Sequence, residues 1–275
     1  MNIKAKAPLL RTASQAVQQL LNIMIQLRHP TCGCPWDIQQ DYQSILSHTL
    51  EEAYEVADAI EAGDFNQLQD ELGDLLFQIM FYCQMAHEEG RFSFADVAGG
   101  LADKLVRRHP HVFNQNSAIQ ELDKMQVMDQ WEATKQQERE QKQQLSALDD
   151  VPTALPALNR AAKLQQRAAN VGFDWSNTES VLDKVAEEFD ELRKAIKSDD
   201  KHHMAAELGD LMFTTVNLAR HLKLHPETVV RGANSKFEQR FRFVEQTLMQ
   251  QGSSCAEANM TEMGQAWNLA KQSGL

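Results

Sequence analysis

Two sets of acidic residues are spaced so that they could do chemistry together. Glu51, Glu52 and Glu55 are followed by Glu71 and Asp74, and Glu187, Glu188 and Glu191 by Glu207 and Asp210. Each member of the second set lies 136 positions after its counterpart in the first. Both have the form E-E-x-x-E and then E-L-G-D, so the chain reads as a duplication. Residues three or four apart share a helix face, which pairs Glu52 with Glu55, Glu71 with Asp74, Glu188 with Glu191 and Glu207 with Asp210. Four carboxylates brought level repel one another unless a cation lies between them. An all-oxygen set without Cys or His suits a hard divalent ion, Mg²⁺ or else Mn²⁺. A solvated acidic face is the alternative, because helical glutamates are mostly exposed.

Helical hairpins are the elements that would bring the pairs level. The midpoint between the two pairs is Gly63, within AGDF, in the first copy and Asp199, within KSDDK, in the second. A turn at either place leaves each pair about 14 Å from it at 1.5 Å per residue. Leu72, Leu75, Leu76, Phe77, Ile79, Met80 and Phe81 surround Asp74. Leu208, Leu211, Met212, Phe213, Val216 and Leu218 surround Asp210. Helices apolar nearly all round are expected to be buried, and buried carboxylates need hydrogen bonds, a charged partner or a metal.

The two copies differ further along the same face. Beyond Asp74 it carries Gln78, Phe81 and Met85, and beyond Asp210 it carries Thr214, Asn217 and His221. The second face stays polar and could hydrogen-bond a phosphate or sugar; drift at a tolerant helix surface is the other reading. Lys236 and Arg240, at i and i+4 in ANSKFEQRFR, could clamp phosphates opposite a metal or be simply solvated. The first copy keeps Lys104 and Arg108 in its corresponding segment.

These carboxylate sets, with GCPWD (Gly33 to Asp37) upstream and RRHPHVF (Arg107 to Phe113) downstream, resemble the MazG nucleoside triphosphate pyrophosphohydrolases over nearly the whole chain. The resemblance implies an all-α fold of two tandem four-helix units, a homodimer, Mg²⁺ dependence, and hydrolysis of nucleoside triphosphates to monophosphate and pyrophosphate. It places hydrolysis in the second repeat, with Glu188, Glu191, Glu207 and Asp210 as metal ligands and Lys236, Arg240 and Trp267 contacting the nucleotide. Lys184 and its neighbour Glu187 are expected to line the nucleotide. His203 stands where the family has a basic residue. In the first repeat the matching set is Glu52, Glu55, Glu71 and Asp74. Glu188 or Glu191 could accept a proton from water, and a Trp267 stacked on the base would tolerate many bases.

Composition sets the bounds. The chain has 275 residues, enough for two domains. Its net charge of −12 argues against a nucleic-acid polymer as partner. The N-terminus lacks the apolar core of a signal peptide and no run is long enough to span a membrane, so a cytoplasmic protein is expected. Cys32, Cys34, Cys83 and Cys255 are expected to be reduced thiols, and Cys32 and Cys34 beside His29 lack the second ligand pair of a zinc site. There is no P-loop, H-E-x-x-H or G-x-S-x-G. The rival readings are a pyrophosphohydrolase for one special nucleotide and a non-catalytic, metal-binding helical module that docks a regulatory protein partner.

The expected domains are residues 1–120, a connector and linker at 121–156, and a catalytic unit at 157–275. Helices are expected at about 12–28, 43–62, 65–89 and from near Ser93 to Pro110, with HPTCGCPWD as a loop. An exposed helix is expected at 122–144. The second unit should hold helices at 157–170, 178–197, 202–223, 227–250 and 261–272.

Overall fold

A computed structural model describes residues 7–113, 123, 126, 127, 131, 134 and 146–275. The chain divides into two compact units, Met1–Lys135 and Gln136–Leu275, and the described residues form helices with no strand among them. The helix expected at 122–144 lies almost wholly outside the described residues.

The first unit contains α1 (Ala7–Leu27), α2 (Pro35–Gln39), α3 (Leu46–Ala62), α4 (Phe65–Glu88), α5 (Phe94–Arg108) and α6 (Pro110–Phe113). Helices α3 and α4 form the acidic hairpin. Gly63 closes α3 at φ 69°, and the Asp64 side chain accepts from the Asn66 and Gln67 amides to start α4. Glycine suits this left-handed position because it has no Cβ to clash. Met24, Ile45, Met80, Phe81 and Met85 make the core. Ser93 and Asp96 form a capping box on α5. The segment expected as a loop contains α2, with Pro35 at its first turn, where a missing N–H costs nothing. Gly33 permits the approach to it: a Cβ there would collide with the Leu27 and His29 backbone.

The second unit contains α7 (Ala157–Ala169), α8 (Thr178–Ser198), α9 (Lys201–His221), α10 (Pro226–Gln250) and α11 (Met260–Gln272). Helices α8 and α9 form its acidic hairpin, α7 packs on α9 and α10, and α11 packs on α10. Asp199 turns the chain at φ 55°, and Asp200 caps α9 through the His202 and His203 amides. The expected linker is partly structural: Val151 is buried and Leu148, Thr153 and Leu155 line clefts of this unit.

Burial departs from expectation on both hairpins. Asp74 and Asp210 are exposed, and so are Leu72, Ile79, Leu208, Met212 and Phe213. Each hairpin partner covers one side of α4 or α9, and the remaining helices of the unit leave part of the apolar surface open. No described helix is long and apolar enough to cross a membrane.

Candidate active site

Each hairpin brings three carboxylates together. In the first unit, oxygens of Glu52, Glu55 and Glu71 lie within 4.8 Å of one another; in the second, those of Glu188, Glu207 and Asp210 do. Among the described residues these are the groups able to hold a metal ion. The geometry therefore assembles six of the eight expected ligands and omits a different member of each set, Asp74 in the first and Glu191 in the second. Asp74 still acts on its cluster through its charge, and Glu191 is half-buried one helical turn from Glu188.

The first cluster is held at an electrostatic cost. Burial raises the Glu52 pKa, helped by the charges of Asp74, Glu71 and Glu51. Burial and the charges of Glu71 and Glu52 likewise raise that of Glu55. Gln67 donates to Glu71 at 3.4 Å, and His48 approaches Glu51 at 3.5 Å.

At the same positions the second unit supplies more basic side chains. Lys184, 136 positions after His48, places Nζ 2.9 Å from Glu188 and 3.0 Å from Glu187. Its pKa is raised, chiefly by the bond to Glu188. His203, 136 positions after Gln67, has Nδ1 3.5 Å from Glu207. Glu188 is only 6 % exposed, so its pairing with Lys184 offsets a charge that would otherwise be buried alone. Lys184, Glu187 and His203 thus stand beside the carboxylate cluster.

Further along α9 lies a network outside the acidic sets. Arg220 bonds both carboxylate oxygens of Asp174, at 2.9 Å from Nη1 to Oδ2 and more closely from Nη2 to Oδ1. His221 Nε2 lies 3.0 Å from Asp174 Oδ1, and the Trp175 amide donates to the same oxygen. These bonds, Arg220's first, depress the Asp174 pKa to about 2. Asn217 accepts from Arg220 Nε and Nη2 at 3.0 and 2.8 Å, so its Oδ1 is committed. Nothing in the F-D-W sequence at 173–175 shows that Asp174 reaches across 46 positions to Arg220.

Lys236, Arg240 and Trp267 stand on α10 and α11. Arg240 donates through Nε to the Leu275 carbonyl at 2.7 Å, and its guanidinium lies 5.8 Å from the Trp267 ring centre. Trp267 also packs on Phe237, while Lys236 is exposed. These contacts engage Arg240 with Trp267 on α11 and with Leu275 beyond it rather than with the carboxylates. At the zinc candidate, Cys32 Sγ lies 3.1 Å from His29 Nδ1, and all four cysteines are free.

The described residues thus form an all-helical duplication with a cluster of carboxylates in each hairpin. Residues 40–113 and 176–244 both match the MazG nucleotide pyrophosphohydrolase domain. The chain is 50 % identical over 260 residues to the nucleoside triphosphate pyrophosphohydrolase of Escherichia coli, covering 93 % of this chain and 97 % of the relative. It is 36 % identical over 262 residues to the nucleoside triphosphate pyrophosphohydrolase/pyrophosphatase MazG of Thermotoga maritima, covering 95 % and 98 %. The chain belongs to the MazG nucleotide pyrophosphohydrolase family and has its two-repeat architecture.

Proposed function

We propose that the second unit hydrolyses nucleoside triphosphates, ribo and deoxy and with many bases, to monophosphate and pyrophosphate. The observation that carries this reading is the convergence of Glu188, Glu207 and Asp210 oxygens within 4.8 Å. That donor set fits Mg²⁺, with Mn²⁺ as a substitute. When bound, such an ion neutralises phosphate oxygens and makes an attached water more acidic.

The chain's own groups divide the remaining work. Lys184 holds Glu188 and Glu187 in place. Glu191, outside the converging three, is free to accept the proton of the attacking water. Lys236 is exposed and able to meet the departing pyrophosphate, and Arg240 could join it on leaving the Leu275 carbonyl. In the first unit Phe81, 1 % exposed, and buried Met85 fill the positions that Asn217 and His221 hold in the second. That unit is proposed to bind metal without turning over nucleotide. The exposed apolar side chains Leu208 and Met212 support a homodimer.

The test is pyrophosphate release from the eight common NTPs and dNTPs, with and without Mg²⁺, for wild type, Glu55→Gln and Glu191→Gln. Mg²⁺-dependent release lost only in Glu191→Gln is expected. Loss in both variants would make the units jointly catalytic, and no release from any substrate would turn the reading toward a special nucleotide or a binding module.

A further inference from the structure

We propose that Cys32 is a site of reversible covalent modification, a thiol that exchanges with low-molecular-weight disulfides and is left carrying a mixed disulfide. Cys32 is exposed, whereas Cys34 and Cys255 are partly buried and Cys83 is buried. Its Sγ lies 3.1 Å from His29 Nδ1.

The direction of that contact follows from its neighbours. The Thr31 amide donates to His29 Nδ1 at 3.3 Å, and a backbone N–H can only donate. Nδ1 is therefore the acceptor nitrogen of the neutral ring, and Nε2 carries the proton. The Thr31 hydroxyl lies 3.2 Å from the same Nδ1. The Cys32 thiol thus has its proton within reach of a base. Backbone bonds hold the pair together: the Gly33 amide donates to the His29 carbonyl and the Cys34 amide to the Leu27 carbonyl, each at 2.8 Å.

A thiol beside a base is arranged for nucleophilic attack, because the thiolate is the reacting form. Among the described residues the groups able to hold a metal ion are carboxylates, so His29, Cys32 and Cys34 do not converge as ligands and sulfur chemistry is favoured over a zinc site. His29 also borders a cleft of about 410 Å³ with Arg28, Gln84 and Glu88 on its wall, room for the body of a small disulfide beside the attacked sulfur. In the exchange, Cys32 Sγ attacks one sulfur of the reagent. The reagent's S–S bond breaks, a new S–S bond forms to Cys32, and the thiol proton passes to His29 Nδ1 and on to the departing thiolate. The reagent is the oxidant, so no other is required. Cys34, two residues on, can displace the reagent's remaining half in turn and close a disulfide with Cys32.

The experiment treats the full chain with oxidised glutathione at pH 7 and follows the loss of free thiol and the gain of glutathione at each cysteine by mass spectrometry of the quenched, digested protein. Wild type, Cys34→Ser and His29→Asn are compared. Cys34→Ser prevents the second exchange, and the Asn side-chain oxygen can still accept the Thr31 amide but cannot take the thiol's proton. Cys32 is expected to react roughly tenfold faster than Cys255, which packs against Val244, Leu248 and Ala266, and to keep its glutathione in Cys34→Ser. His29→Asn is expected to slow Cys32 roughly tenfold with melting unchanged. Equal rates at Cys32 and Cys255 in Cys34→Ser would overturn the proposal, as would an undiminished rate at Cys32 in a His29→Asn protein that melts like wild type. If His29→Asn does not fold, the comparison of Cys32 with Cys255 decides. Neither readout uses nucleotide hydrolysis, so the result stands apart from the hydrolase reading.

Discussion

Lys184 Nζ lies 2.9 Å from Glu188 Oε1, at the position that His48 holds in the first unit. The first hairpin instead has Glu52 and Glu55 held toward their protonated forms by burial and by neighbouring carboxylates. The same backbone thus carries two different charge balances. Replacing Lys184 with Met removes the partner of a buried carboxylate, at a cost of about 1–3 kcal/mol. Melting in a chelating buffer is expected to fall by roughly 3–8 °C in Lys184→Met and to recover largely on adding Mg²⁺. An unchanged melting temperature in the chelating buffer would remove Lys184 from this role.

In the first unit the sign is reversed. A carboxylate whose folded pKa is raised binds its proton more tightly folded than unfolded, so its ionised form opposes folding at neutral pH and the penalty fades as pH falls through the folded value. Glu55→Gln is therefore expected to stabilise the metal-free protein at pH 7.5 and to confer no gain at pH 4. It should also blunt the rise in melting temperature that Mg²⁺ gives. Melting curves at the two pH values, with and without Mg²⁺, check each part; a destabilised variant at pH 7.5 would contradict the account.

The hairpins were legible in the sequence because helix period and turn chemistry are local. Both turns fall where expected, at Gly63 and Asp199, and α3, α4, α8 and α9 lie within three residues of their expected ends. The carboxylate register follows from those turns. Less legible was anything requiring long-range packing. Asp74 and Asp210 look interior by their apolar neighbours but are exposed, because periodicity shows that a helix is apolar all round without showing which sides its own unit covers. Arg240's bond to the Leu275 carbonyl joins positions 35 apart with no shared motif. Gln165 stood out in no pattern, since an unpaired buried oxygen is visible only once its surroundings are folded.

Asp174 should make the second unit sensitive to acid. Its pKa falls from an ordinary 3.8 to about 2 through Arg220, His221 and the Trp175 amide. A depressed folded value gives stability that is complete above about pH 4 and lost as pH falls toward 2. The shift corresponds to about 2 kcal/mol at most, less where solvent screens the pair. Asp174→Asn is expected to be less stable than wild type at pH 6 by roughly that amount, and the gap should narrow at pH 2.5. Urea midpoints of both proteins at the two pH values decide it; a constant gap would mean that packing rather than ionisation holds Asp174.

Arg240 presents a last separable case, because it has a structural bond and a proposed catalytic one. It donates to the Leu275 carbonyl and lies over Trp267, interactions worth about 1–2 kcal/mol together. Arg240→Ala should therefore lower the melting temperature without nucleotide present. Arg240→Lys keeps a cation but loses the planar fork that matches phosphate oxygens, so much of the stability should return while KM for ATP stays raised several-fold. If Arg240→Lys restores KM along with stability, a point charge suffices at the phosphates. If both variants melt lower yet keep a wild-type KM, Arg240 serves only to hold α11 against α10, and Lys236 alone remains to meet the phosphates.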